Sequence, residues 1–257
     1  MCVRLAVPGM SVVALVPAAG RGERLGAAVP KALVEVRGEP LLIHAVRGLL
    51  DAGRVRHVVV AAPANLVDAT AKLLADAGLA ADVVAGGADR TASVGLALRH
   101  ALGVIPDTSV VLVHDAARAF TPPSVIRAVV DAVEAGARAV IPVLPMADTV
   151  KQVDADGVVV ATPDRSALRI VQTPQGFDTA TLVAAHALAD SATDDAGLVE
   201  RLGVPVATVP GHAYAMKITT PFDLVVAEAI VLQTERSLVE QSYDRPGAAR
   251  QAAEEGS

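Results

Sequence analysis

The chain has 257 residues, 53% of them apolar, and a formal net charge of −6. Such a length suits one large α/β domain rather than two equal ones, and no apolar run reaches the roughly 18 residues a spanning helix needs, which argues against a membrane protein. The acidic balance, without a Lys/Arg cluster or interleaved aromatics, argues against nucleic-acid binding, while a single cysteine, Cys2, leaves no internal disulfide or cysteine zinc site and suits a reducing cytoplasm.

In chain order, Met1 to Ala19 has a faint likeness to a signal peptide, but cleavage there would remove the first strand. Residues 1–10 are expected to be a loose extension, with Met1 or Met10 as the start, and the main domain is expected over 11–234. Val12, Val13, Leu15 and Val16 form the continuous β-branched run of a strand buried on both faces, so Pro17 onward emerges at its carboxyl edge. There Gly20, Gly22 and Gly26 allow close backbone approach to a phosphate chain, and Arg21, Arg24 and Lys31 supply cationic donors. A solvated turn is the duller alternative. A Walker loop is excluded because no Gly-Lys pair follows Gly20 or Gly22. A dinucleotide fingerprint is disfavoured, since position 25 is Leu and the second strand ends in Ala61-Ala62-Pro63 without its acidic residue.

Further short apolar stretches at Val58 to Ala62, Asp82 to Ala85, Val110 to Val113, Arg138 to Val143 and Val204 to Val209 alternate with helical periodicity. The predicted helices are Leu41 to Leu50, Leu66 to Ala77, Ser93 to Leu102, Ser124 to Ala135 and Thr179 to Ala189. Pro122-Pro123 marks a start, and Gly53, Gly78, Gly103 and Gly136 mark stops. This alternation predicts a mostly parallel sheet with helices on both faces. Between about 146 and 170 the pattern becomes a β-hairpin turning at Asp156-Gly157, an arm too small to stand alone and so expected to pack on a second subunit. From Glu235 to Ser257 the chain turns polar and small, as a flexible tail would.

Four clusters fall at carboxyl ends of predicted strands. Gly86-Gly87-Ala88-Asp89-Arg90-Thr91-Ala92-Ser93 leads into a helix, either to hold a base or ribose or simply as a Ser-capped start. Val113-His114-Asp115-Ala116-Ala117-Arg118 ends an apolar strand on a carboxylate, which suits Mg²⁺ already bound to phosphates or a structural pair with Arg118. His114 reads as packing or a hydrogen-bond donor, since no second His lies at ligand spacing. Asp148-Thr149 with Asp164-Arg165 on the arm, and Lys217 on a short strand before a Thr220-Pro221 helix start, suit a second anionic substrate.

Over Val12 to about Ile230 the chain resembles the 2-C-methyl-D-erythritol 4-phosphate cytidylyltransferases of non-mevalonate isoprenoid biosynthesis. The likeness rests on Pro-Ala-Ala-Gly-Arg-Gly-Glu-Arg-Leu-Gly with Pro30-Lys31, Gly-Gly-Ala-Asp-Arg-Thr-Ala-Ser-Val, Val-His-Asp-Ala-Ala-Arg, Asp148-Thr149, Asp164-Arg165, Thr173-Pro174-Gln175, Thr193-Asp194 and Lys217-Ile-Thr. The resemblance implies a single-domain, Rossmann-like (GT-A-like) nucleotidyltransferase fold. The implied reaction is Mg²⁺-dependent transfer of CMP from CTP to methylerythritol phosphate with release of pyrophosphate, in a homodimer that exchanges its arms. By the same implication Arg24 and Lys31 meet transition-state charge, and Arg165 and Lys217 position the acceptor. Asp148, Thr149 and Thr193 would also face that acceptor. Pro17, Ala18, Ala19, Gly20, Arg21 and Gly22 would line the nucleotide pocket with Gly87, Ala88, Ser93, Asp115 and Ala116, Asp115 lying near the metal. Two positions depart from the family pattern: Ala88 stands where an acidic residue is common, and Ala119 where a proline usually follows Asp-Ala-Ala-Arg. A transferase for another polyol phosphate such as ribitol 5-phosphate, or for a sugar 1-phosphate, is the alternative enzyme. A nucleotide-binding regulator without turnover would need a lost catalytic residue.

Overall fold

The computed structural model describes residues 11–20, 29–188 and 192–243. Strand β1 (Ser11–Pro17) is followed by a small hairpin of β2 (Glu35–Val36) and β3 (Glu39–Pro40), helix α1 (Leu41–Asp51), β4 (His57–Ala62), α2 (Val67–Asp76) and β5 (Asp82–Ala85). Then come α3 (Arg90–Val104), β6 (Thr108–Val113), α4 (Pro123–Glu134) and β7 (Ala139–Pro145). The arm contributes β8 (Gln152–Val153) and β9 (Val159–Ala161). The chain finishes with β10 (Arg169–Val171), β11 (Gln175–Asp178), α5 (Thr179–Leu188), α6 (Asp195–Arg201), β12 (Ala207–Pro210) and α7 (Pro221–Tyr243).

Strands β5, β4, β1 and β6 pair in that order, all parallel. Beyond β6 lies antiparallel β11, then β7, which runs parallel to β12. β10 pairs antiparallel with the far end of β7. The expected α/β architecture with a mostly parallel sheet is therefore present.

Alternation along β1 explains why its sequence is unbroken Val, Ala and Leu. Val12, Ala14 and Val16 face one layer, with α1 (Ile43, Val46), α2 (Leu74) and α4 (Val129, Val130). Val13 and Leu15 face the other, with α3 (Val94, Leu98), α5 (Leu182) and α6 (Val199). With both faces covered, Val12 to Val16 carry no polar side chain, and the one polar residue of the strand, buried Ser11 at its start, has Oγ accepting from Arg56 Nη1 at 3.4 Å. At the β6–β11–α4 junction Gly176 is required, since a Cβ there would overlap Val129 and stand 3.2 Å from Val133.

The predicted helices and strands recur with four main differences, one being that β12 begins at Ala207 rather than Val204. Helix α3 begins at Arg90 rather than Ser93, because Asp89 caps it through its side chain on Ala92 N–H at 2.7 Å. Gly103 does not stop it, as the helix runs to Val104, whereas Gly53, Gly78 and Gly136 do adopt positive φ after their helices. Lys217 lies on no strand, since only Ile218 N–H bonds across, to Ala117 O at 2.8 Å. The Thr220-Pro221 helix start is where α7 begins, whereas the sequence reading passed over α6, β10, β11 and the β2–β3 hairpin, whose tight turn places Arg37 and Gly38 at φ of 52° and 80°. Helix α7 continues past Glu235 to Tyr243; the rest of the expected tail, like residues 1–10, lies outside the described residues. Among the described residues no helix is long and apolar enough to cross a membrane.

The arm forms its hairpin about Gly157 (φ 81°), with Asp154 Oδ1 accepting N–H bonds from Asp156 and Val158 at 3.0 and 2.9 Å. Residues 151–162 are all exposed, and Val153, Val158, Val159 and Val160 present apolar side chains to solvent.

Candidate active site

The first wall of the site is the end of β1. Pro17, Ala18, Ala19 and Gly20 leave the sheet between β4 and β6, held by the bond of Ala18 N–H to Ala61 O at 2.8 Å. Arg21, Gly22 and Arg24 lie outside the described residues. The chain returns at Lys31, whose N–H bonds Gly20 O at 3.3 Å and which opens a 3₁₀ turn, Lys31–Leu33.

The second wall follows β5. Gly86 N–H bonds Ala62 O at 2.7 Å and Gly87 N–H bonds Ser93 Oγ at 3.0 Å, while Ser93 Oγ donates to Asp89 O at 2.7 Å. A Cβ on Gly86 would fall 2.8 Å from Ala19 Cβ, so glycine lets this wall approach the first. Ser93 thus braces the glycine turn from inside the helix and is not its cap.

The third wall ends β6. Asp115 does not pair with the Arg118 side chain as a structural reading would have it. Its Oδ2 lies 2.7 Å from Lys217 Nζ and its Oδ1 accepts from Arg90 Nε at 3.3 Å. Arg118 instead donates to Ala215 O at 2.8 Å and Val171 O at 2.9 Å, tying the Lys217 segment to the sheet. Burial works to raise the Asp115 pKa, but Arg90, Lys217 and Arg118 outweigh it and hold the carboxyl below the usual range, fully ionised. His114 is buried, with Nδ1 3.0 Å from Thr173 Oγ1, and burial lowers its pKa to about 4. It is a packed, neutral imidazole, as expected.

These walls enclose a cavity of about 780 Å³ that brings together Pro17 to Gly20, Lys31, Gly87, Ala88, Ser93, Asp115, Ala116 and Lys217. Residues as far apart in sequence as Pro17 and Lys217 meet there because each ends or follows a neighbouring parallel strand, or is tied to one, at the edge where such sheets bind ligands. Arg90 also lines the cavity. It was passed over as a site residue although its neighbours were singled out, and its place straight after a cap residue was the available signal. Asp148, Thr149 and Arg165 are not in the cavity wall of this single chain. They belong to the exposed arm, where Arg165 Nη1 donates to Ala147 O across its base. Thr193 is exposed beside α6, away from the cavity lining.

A model of the 2-C-methyl-D-erythritol 4-phosphate cytidylyltransferase family matches residues 12–233. The chain belongs to that family. A relative of that name from Saccharopolyspora erythraea is 68% identical over 223 residues, covering 86% of this chain and 100% of its own length. One from Frankia casuarinae is 58% identical, covering 89% of this chain and 84% of its own. The crystal structure of the Thermus thermophilus cytidylyltransferase superposes with a TM-score of 0.71 at 40% identity, covering 86% of this chain and 98% of that one. As a family member this chain is a nucleotidyltransferase, and the fold on which the cavity is built is that of the family.

Proposed function

We propose that the chain transfers CMP from CTP to the phosphate of 2-C-methyl-D-erythritol 4-phosphate, releasing pyrophosphate, as a step of isoprenoid precursor synthesis. The observation that carries this reading is the meeting of Lys31, Asp115 and Lys217 with the glycine walls in one cavity of a family member. A phosphate oxygen of the acceptor attacks the α-phosphorus in line, and the bond from that phosphorus to the β-phosphate oxygen breaks. The attacking group is already anionic, so no strong general base is needed, and catalysis is positioning and charge stabilisation. Lys31 meets charge at the α-phosphate, joined in this reading by Arg24. The backbone of Ala18 to Gly20 and of Gly87 to Ala88 gives the nucleotide a close-fitting wall, with Ser93 holding Gly87. Lys217 offers an ammonium to the acceptor phosphate, while Arg165, Asp148, Thr149 and Thr193 complete the acceptor site in an assembled dimer.

Mg²⁺ fits the donor set in one form only. No group of three His, Cys, Asp or Glu among the described residues forms a protein cage. Asp115 is one ionised carboxylate beside a cavity of triphosphate size, which is what phosphate-bound Mg²⁺ takes from protein. Asp115 would hold the ion, which when bound neutralises charge on the phosphate oxygens. The arm, exposed throughout 151–162 with four outward valines, supports a homodimer in which each arm packs on the other subunit. The single cysteine supports a cytoplasmic setting.

Pyrophosphate release measured with CTP, ATP, UTP and GTP against methylerythritol phosphate and ribitol 5-phosphate tests the assignment. CTP with methylerythritol phosphate is expected to turn over fastest; faster turnover with ribitol phosphate would overturn it. Family membership weighs against that alternative.

A further inference from the structure

Behind the cavity wall lies a run of alternating charges that the reading above does not use. Asp195, the first residue of α6, has none of its surface exposed (0%). Its Oδ1 faces His186 Nε2 from α5 at 2.9 Å, and its Oδ2 accepts from Arg90 Nη1 at 2.7 Å. Arg90 then reaches Asp115 through Nε at 3.3 Å, and Asp115 holds Lys217 at 2.7 Å. Helices α3, α5 and α6 are thereby linked to the two loops that carry Asp115 and Lys217.

We propose that Asp195 is a positioning residue for the transfer reaction, anchoring Arg90 from below so that Asp115 keeps Lys217 in place for the acceptor phosphate. The proposal rests on the roles given above to Asp115 and Lys217. A guanidinium is planar, so fixing Nη1 on a buried carboxylate also fixes the direction of Nε. Arg90 is shared between two carboxylates. Without the Asp195 charge the whole attraction of Arg90 falls on Asp115, in competition with Lys217 for the same group. A buried carboxylate is costly unless it is paired, and Asp195 meets that cost with Arg90, with His186 and with its place at a helix N-terminus. Asp195 does not line the cavity itself, and the lining residue it bonds is Arg90, through which its effect passes.

The test is a double-substitution cycle on full-length protein, read as kcat/KM for methylerythritol phosphate at saturating CTP. Asp195→Asn is expected to lower kcat/KM roughly tenfold, chiefly through KM for the acceptor, as coupled neighbours do. In a Lys217→Ala background the same substitution should change it less than about twofold, because the group being positioned is gone. Equal factors in the two backgrounds would show a general structural role and overturn the proposal alone. If Asp195→Asn fails to fold, Arg90→Lys, which keeps the charge but loses the planar fork, runs the same cycle with the same expected and overturning outcomes. Absence of pyrophosphate release by the unsubstituted protein would overturn the reading of the site and the proposal together.

Discussion

Gln172 and His212 exchange two hydrogen bonds: His212 N–H donates to Gln172 Oε1 at 3.0 Å and Gln172 Nε2 donates to His212 O at 2.9 Å. A buried side-chain amide thus takes the place of a strand partner beside β12 and fixes the backbone that leads to Lys217. Gly211 leaves room for this amide, since a Cβ there would overlap Gln172 Oε1 and displace it.

Gln172→Ala is expected to destabilise the fold by about 1–3 kcal/mol, because it removes two part-buried hydrogen bonds to the His212 backbone. It should also raise KM for methylerythritol phosphate by loosening Lys217. Thermal melts and steady-state kinetics check both, and a melt shift with unchanged KM would separate this clamp from the acceptor site.

Lys31→Ala is expected to lower kcat by roughly a hundredfold, the effect of removing one donor to developing charge, while CTP binding stays measurable by calorimetry. Unchanged kcat would remove Lys31 from the chemistry.

Acid should weaken the protein in two separate windows. Burial sets His114 at about 4 in the fold against about 6.5 in the unfolded chain, so the unfolded state takes up its proton first. Stability is full above the unfolded value and falls by about 3 kcal/mol as pH drops from 6.5 through 4. His44, also lowered by burial, acts with the same sign. Asp115 is depressed instead, so its contribution is complete above the ordinary carboxylate range and is lost only below it. Denaturant midpoints between pH 7 and 4 should decline less in His114→Asn than in the unsubstituted protein; parallel slopes would rule His114 out as the source.

Val159→Asp places a charge on the exposed arm, where Val159 is 54% accessible. It is expected to leave the melting temperature of the isolated subunit unchanged and to weaken the dimer, as sedimentation velocity would show. Mixing an Arg165→Ala subunit with a Lys31→Ala subunit should restore part of the activity if Arg165 serves its partner's cavity, and restore none if it serves its own.

The apolar runs of β1, β4 and β6 were legible because burial on both faces forbids any polar interruption, and the helices between them because each has one buried stripe. The cluster Gly86 to Ser93 was legible as a site, but the role of Ser93 was not: it braces Gly87 while Asp89 caps the helix, two local geometries that one string of residues equally permits. Helix α6 was passed over because its seven residues are too few to express a period.

By itself, the sequence determined the layering of the sheet, the strand ends that carry function and, through motif order, the family. These depend on periodicity and local chemistry, which are written residue by residue. Only the tertiary structure decided that Asp115 holds Arg90 and Lys217 rather than Arg118, that Asp195 lies beneath Arg90, and that Arg165 stands on an arm away from its own cavity. Ion pairs form between whichever charges the fold brings within a few ångströms, and separation along the chain says nothing about that distance.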